Sequence, residues 1–228
     1  FNDNKIKNKI SFSLNNSSAD IYFSNGYIID TYFSKYNMIK LSDISLNLSN
    51  TYNMQNILAS YAVCKYLKIP IKYFRKSIKK FKGLPFRSSI TFNSKTKIII
   101  NNSKATNVAS ALSTLENKKN IFLILGGIAK KGDNFGDFNL FKDDIKQIYI
   151  FGRSRFLIKK QLGLPKISRV YVNLKNVIDI LFKDLSTFDK KAIIIFAPAC
   201  ASFDQFENFE NRGNYFNKLI FQKLTNEN

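Results

Sequence analysis

The sequence predicts an α/β fold, with a Rossmann-like, doubly wound and mostly parallel sheet in its C-terminal part and a smaller α/β unit before it. After Pro85, short and fully apolar runs such as 121–125 alternate with segments of helical spacing. This alternation is typical of a parallel sheet covered on both faces. Before Pro85, strand-like segments precede two helical stripes. Gly83-Leu84-Pro85 breaks the pattern, so we expect one domain over 1–84 and another over 85–228.

The first 84 residues indicate β-structure followed by two helices. Asn25-Gly26 between two apolar runs is typical of a tight hairpin turn. The apolar residues from Ile57 to Leu67 and from Ile71 to Phe81 recur at helical spacing, and Pro70 separates them. The strands predicted in this part are 10–14, 19–23, 27–29, 38–41 and 44–48.

The remaining residues alternate strand and helix. We expect Thr106, Ser154 and Asn173 to cap three of the helices, because Ser, Thr and Asn are preferred there. The second of these helices is predicted to stop near Gly163, and a last helix carries apolar residues over 216–224. The predicted strands are 89–92, 97–100, 121–125, 147–151, 169–172 and 192–196.

Composition excludes several kinds of chemistry. The chain has no histidine, so Ser-His-Asp and Cys-His catalysis and His-ligated metal sites are excluded. Its two cysteines form no disulfide framework, which favours a reducing cytoplasm. No stretch approaches the roughly 18 apolar residues of a membrane span. The net charge of +20 is scattered along the chain, so it predicts a solvated surface that attracts anions rather than a nucleic-acid stripe.

Three polar or glycine-rich segments follow predicted strands, where open α/β sheets bind ligands. Residues 101–107 combine Lys104 with a helix start. Residues 126–133 combine three glycines with two lysines but lack the spacing of a phosphate or dinucleotide loop. Residues 197–209 contain small residues, and we expect Cys200 to be packed. An ion pair between Asp204 and Arg212 is one interpretation of this segment, and ordinary loop architecture, which we prefer, is the other. Taken alone, each segment is also compatible with an ordinary loop.

Together these segments resemble the Mur ligase family, in the C-terminal half of its UDP-N-acetylmuramoyl-L-alanine:D-glutamate ligases. The resemblance rests on Asn-Ser-Lys-Ala-Thr-Asn at 102–107, Leu-Gly-Gly at 125–127 with Lys130, and the run from Pro198 to Gly213. Phe81 to Arg87 resembles the entry to the same domain, and Asn53 to Asn56 the end of a central ATP-binding domain. The resemblance therefore implies that 1–84 is a remnant of the ATP-binding domain and 85–228 the amino-acid-binding domain.

The resemblance implies an ATP- and Mg²⁺-dependent peptide ligase of cell-wall synthesis that joins D-glutamate to UDP-N-acetylmuramoyl-L-alanine through an acyl phosphate. It implies a cytoplasmic monomer with no nucleic-acid or membrane partner. For D-glutamate the implied contacts are Thr106, Lys130, Ser202 and Phe209. For the nucleotide they are Asn53, Asn56, Arg87, Asn102 and Lys104.

The sequence departs from the family pattern where Asn102 replaces an aspartate and where Phe86 and Tyr52 replace histidines. No Gly-Lys-Ser/Thr loop is present, and the chain opens on Phe1. We therefore interpret it as a fragment without ATP turnover of its own, with the Mg²⁺ ligands elsewhere. Two other hypotheses remain: a different amide ligase, such as a folylpolyglutamate synthase, and a basic nonenzymatic module that binds nucleic acid.

Overall fold

The computed structural model describes residues 9–34, 37–41 and 51–226, and the predicted strand 44–48 lies outside them. The chain divides into two compact units, residues 1–83 and 84–228. Each is a mixture of helices and sheet, and the larger sheet is mostly parallel, which confirms the predicted fold class.

In its described residues, the first unit has a four-stranded sheet and two helices. Its strands are β1 (Phe12–Ser13), β2 (Ile21–Ser24), β3 (Tyr27–Asp30) and β4 (Asn37–Lys40), and its helices are α1 (Thr51–Tyr66) and α2 (Ile71–Lys80). β2 and β3 form the predicted hairpin, and both turn residues, Asn25 and Gly26, have positive φ. This geometry is that of the Asn-Gly turn expected from the sequence. Apolar residues of the sheet and of both helices form one core.

The second unit is a six-stranded sheet in the order β5-β6-β10-β7-β8-β9. Only the first strand runs antiparallel to its neighbour. The strands are β5 (Ser89–Asn93), β6 (Lys97–Asn101), β7 (Ile121–Gly126), β8 (Ile145–Phe151), β9 (Ser168–Val170) and β10 (Ala192–Ala199). The helices are α3 (Val108–Leu112), a 3₁₀ helix (Phe135–Phe141), α4 (Arg155–Leu162), α5 (Leu174–Ser186) and α6 (Phe209–Thr225).

Helices cover both faces of this sheet. Along β7, Ile121, Leu123 and Leu125 pack on the side of α3, α4 and the 3₁₀ helix. Phe122 and Ile124 point to the other side, where α5 and α6 lie. Because alternate side chains enter opposite apolar cores, the strand is apolar at every position. Within the described ranges, no helix has both the length and the apolar character needed to cross a membrane.

Two of the three predicted helix caps are wrong. The residue that caps α3 is Asn107, whose Oδ1 accepts from the backbone N–H of Ser110 at 2.8 Å, and not Thr106. Ser154 precedes α4 but gives it no side-chain cap, because its hydroxyl accepts from the backbone N–H of Ala129 instead. Asn173 caps α5 as predicted.

Candidate functional site

Three loops leave the same edge of the larger sheet. β10 lies between β6 and β7 and is parallel to both, so the loops that follow the three strands start side by side. These loops carry Thr106, Lys130 and Ser202, in that order. The carboxyl edge of a parallel sheet is where open α/β folds bind ligands. The topology therefore brings the three predicted D-glutamate contacts to one edge.

The loop after β7 is held close to its neighbours by glycine. A Cβ on Gly127, where φ is +126°, would lie 2.2 Å from the carbonyl oxygen of Ala201. The next residue, Ile128, exchanges two backbone hydrogen bonds with Ala201, of 2.9 and 3.1 Å. This bridge ties the loop that carries Lys130 to the loop that carries Ser202.

A buried arginine ties the first loop to the third. The Arg212 guanidinium is fully buried and donates to Ser103 Oγ (3.1 Å), to the Ser103 carbonyl (2.8 Å) and to the Cys200 carbonyl (3.0 Å). Ser103 Oγ in turn donates to the carbonyl oxygen of Phe209 at 2.8 Å. Burial lowers the pKa of Arg212 to about 10, which still leaves the guanidinium charged at neutral pH.

Asp204 and Arg212 form no ion pair with each other. Asp204 Oδ2 accepts from the backbone N–H of Arg153 at 2.8 Å, so this carboxylate joins the third loop to the end of β8. Arg212 is satisfied by carbonyl and hydroxyl oxygens instead. The roles of Ser103 and Arg212 in organising this edge were not predicted from the sequence. The only local signal was the polar stretch around Ser103, just before a helix. Ser103 and Arg212 are 109 residues apart, so no local pattern shows that they are partners.

The predicted D-glutamate contacts differ in how exposed they are and in which hydrogen bonds they already make. Ser202 is only 2% exposed, yet its hydroxyl makes no hydrogen bond with any described residue. The Thr106 hydroxyl is likewise unbonded within the described ranges, and Lys130 is exposed. The backbone N–H of Lys130 donates to Asp133 Oδ2 at 2.7 Å, which fixes the main chain but leaves the ammonium available.

Cys200 does not provide a nucleophile at this edge. It is fully buried, and burial raises the pKa of its thiol to about 12. The charges of Asp133, Arg212, Asp204 and Lys130 also act on that pKa. The neutral thiol packs as a small apolar residue, as expected from the sequence.

Lys104 and Phe209, assigned by resemblance to different ligands, lie in contact. The ammonium of Lys104 stands 3.9 Å from the centroid of the Phe209 ring. The backbone N–H of Lys104 donates to the carbonyl oxygen of Phe86 at 3.0 Å. Arg87, the residue after Phe86, is exposed. Two of the predicted nucleotide contacts, Lys104 and Arg87, therefore lie on neighbouring segments.

The remaining predicted nucleotide contacts are Asn102, Asn53 and Asn56. Asn102 is 6% exposed and donates through Nδ2 to Thr114 Oγ1 at 2.7 Å, so only its carbonyl oxygen is left for a ligand. Asn53 and Asn56 are three residues apart on α1, a spacing that puts them on one helix face. The described residues contain no group of three or more Cys, Asp or Glu arranged to hold a metal ion.

Comparison with known sequences identifies the family. No protein-family model matches the chain. It is 37% identical over 175 residues to the UDP-N-acetylmuramoylalanine–D-glutamate ligase of Hydrogenobaculum sp., a match that covers 76% of this chain and 42% of the relative. It is 32% identical over 191 residues to the ligase of the same name from Prochlorococcus marinus, covering 82% and 40%. The chain thus spans about two fifths of the length of these curated relatives.

Solved structures share the fold at lower sequence identity. MurF from Acinetobacter baumannii superposes with a TM-score of 0.63 at 14% identity, over 92% of this chain and 47% of that one. MurC from Thermotoga maritima gives 0.59 at 14% identity, over 94% and 48%. A folylpolyglutamate/dihydrofolate synthase from Yersinia pestis gives 0.56 at 16% identity, over 81% and 43%. By sequence and by fold, the chain belongs to the Mur ligase family, as a relative of its UDP-N-acetylmuramoylalanine–D-glutamate ligases.

Proposed function

We propose that this chain is part of the ATP-dependent, cytoplasmic and monomeric ligase that adds D-glutamate to UDP-N-acetylmuramoyl-L-alanine in peptidoglycan synthesis. The observation that carries the proposal is the meeting of three loops, bearing Thr106, Lys130 and Ser202, at one edge of adjacent parallel strands. D-glutamate has two carboxylates, and the edge offers one ammonium and two unbonded hydroxyls. The names of the relatives, which specify D-glutamate, support the same substrate.

Each group has a distinct task in this proposal. Lys130 pairs with one carboxylate of D-glutamate through a charge-assisted hydrogen bond. The hydroxyls of Thr106 and Ser202 donate to carboxylate oxygens, and the burial of Ser202 strengthens its bond because water is excluded. The ring of Phe209 packs against the methylene groups of the ligand. With both carboxylates held in this way, the amine of D-glutamate is left for the second reactant.

The reaction is a two-step amide synthesis. ATP phosphorylates the carboxylate of UDP-N-acetylmuramoyl-L-alanine, and the D-glutamate amine attacks the acyl phosphate, so that phosphate leaves from a tetrahedral intermediate. This chain contributes by fixing the amine, which makes the attack effectively unimolecular and removes an entropic part of the barrier.

Five residues are nucleotide contacts in this proposal. Arg87 and Lys104 provide positive charge for phosphate, and Asn102 provides a carbonyl oxygen for the ribose. The amides of Asn53 and Asn56 both donate and accept, as adenine recognition requires. The described residues contain no group of three or more Cys, Asp or Glu that could hold a metal ion. From the family resemblance, we expect the Mg²⁺ ligands in another part of the ligase.

Two other functions are distinguishable. The fold is shared with folylpolyglutamate synthases, so a ligase for L-glutamate would have the same architecture. Preference for L- over D-glutamate would favour that function. A salt-sensitive shift with single-stranded DNA, with no response to D-glutamate, would favour a nucleic-acid-binding module.

The decisive kinetic experiment joins this chain to the remaining part of the Hydrogenobaculum relative and measures D-glutamate incorporation. We expect Lys130→Ala to raise the KM for D-glutamate by about tenfold or more, because a charge-assisted bond is worth about 1.5–3 kcal/mol. The matched control is Lys190→Ala, an exposed lysine just before β10 and therefore at the opposite edge. Unchanged kinetics in Lys130→Ala would remove Lys130 from the site.

The same assay tests whether the 228-residue chain is active by itself. The 228-residue sequence contains no Gly-Lys-Ser/Thr phosphate loop. We therefore expect no ATP-dependent ligation by the 228-residue polypeptide alone. Clear turnover would refute this part of the proposal.

A further inference from the structure

The contact between Lys104 and Phe209 is unusually close. The Lys104 ammonium lies 3.9 Å from the ring centroid, whereas the other cation–ring distances among the described residues run from 4.7 to 5.9 Å. A cation within about 6 Å of the ring face is attracted by the ring quadrupole. Phe209 is the first residue of α6, so no preceding turn of the helix lies beneath its side chain.

The main chain of Lys104 is linked to α6 through Phe86. Its N–H donates to the carbonyl oxygen of Phe86, and the Phe86 ring packs on Gly213, where a Cβ would lie 2.3 Å from Cδ1 of that ring. Gly213 is one helical turn after Phe209, so both phenylalanine rings lie along one side of the helix. Lys104 is therefore fixed at both ends against α6, by its backbone through Phe86 and by its ammonium through Phe209.

We infer that Lys104 is a positioning residue for the amino-acid site: its ammonium holds the Phe209 ring in place for D-glutamate. The inference rests on the proposed function, in which Phe209 contacts D-glutamate. It gives Lys104 a second task beside the nucleotide contact that the family resemblance implies. Without the ammonium the Phe209 ring rotates more freely. Fixing the ring when the ligand binds then costs conformational entropy, which weakens binding.

The test is a double-mutant cycle on the 228-residue chain, read as the Kd of D-glutamate from an NMR titration. Lys104→Met is expected to weaken binding roughly two- to fivefold, the range of an exposed cation–π contact. Phe209→Leu weakens binding too, and the double variant is no weaker than Phe209→Leu alone. Lys104→Arg keeps the affinity within about twofold, because a guanidinium also stacks on a ring.

Lys190→Met is the matched control, since it removes one charge at the opposite edge of the sheet and is expected to leave the Kd unchanged. A second measurement reports the contact itself: the ε-methylene protons of Lys104 shift upfield under the ring, and Phe209→Leu abolishes the shift. The inference is overturned if Lys104→Met behaves like Lys190→Met, or if its effect persists undiminished in the Phe209→Leu chain. Absence of saturable D-glutamate binding by the unsubstituted chain would overturn the proposed function as well.

Discussion

Arg212→Met tests the claim that a buried guanidinium organises the ligand edge. The substitution keeps most of the buried volume but removes three donated hydrogen bonds. The carbonyl oxygens of Ser103 and Cys200 are then left without these donors, and both residues are fully buried. An unsatisfied buried acceptor costs about 1–3 kcal/mol, and removal of the desolvated charge offsets part of that. We expect the free energy of unfolding of the second unit to fall by about 2–4 kcal/mol.

Native-state hydrogen exchange at the amides of β7 and β10 measures this change, because these strands lie at the centre of the sheet. Arg169→Met is the control. Its guanidinium forms a surface ion pair with Asp184, which is 3.2 Å away, and loss of such a pair changes stability by at most about 1 kcal/mol. Equal effects of the two substitutions, or a loss below about 1 kcal/mol for Arg212→Met, would refute the reasoning.

Three further predictions concern thiols, acid and glycine. Because burial raises the pKa of Cys200 to about 12, a thiol reagent near neutral pH should modify Cys64 alone in the folded chain and both cysteines after unfolding. Rapid modification of both cysteines in the folded chain would contradict this prediction. Two lysine ammonium groups lower the pKa of Asp179, so the stability that this carboxylate contributes is present above the unfolded value of 3.8 and is lost as pH falls through the folded value. Asp179→Asn should therefore reduce the acid dependence of the urea midpoint below about pH 4. An unchanged dependence would count against this prediction. Gly127→Ala places a Cβ 2.2 Å from a backbone oxygen, whereas the Cβ of Gly132→Ala, also at a positive φ, meets nothing within 4 Å. In thermal denaturation, Gly127→Ala should lower the free energy of unfolding by about 1–3 kcal/mol more than Gly132→Ala does. Equal losses would exclude the clash.

The fold was predictable where burial acts on both faces of a strand. Residues 121–125 are apolar without interruption because they enter two cores, and so the strand is evident from the sequence. The start of β8 was predicted two residues late, since its exposed Lys146 interrupts the apolar run. The Asn25-Gly26 turn was predictable because its signal is local.

The connections between loops were not predictable, because they join residues far apart in sequence. The Ser154 hydroxyl bonds a backbone N–H 25 residues away, although its position before a helix indicates a cap. Arg212 contacts Ser103 across 109 residues, and nothing local distinguishes it from a surface arginine paired with Asp204. The candidate ligand residues came from family resemblance, and their ligand roles stay predictions.

The most direct measurement is an NMR titration of the unsubstituted 228-residue chain with D-glutamate, with L-glutamate as the stereochemical control. We expect saturable chemical-shift changes for the amides of Thr106, Lys130 and Ser202, with clearly tighter binding of the D-enantiomer. Shifts confined to other surfaces, or identical responses to both enantiomers, would contradict a D-glutamate site at this edge of the sheet.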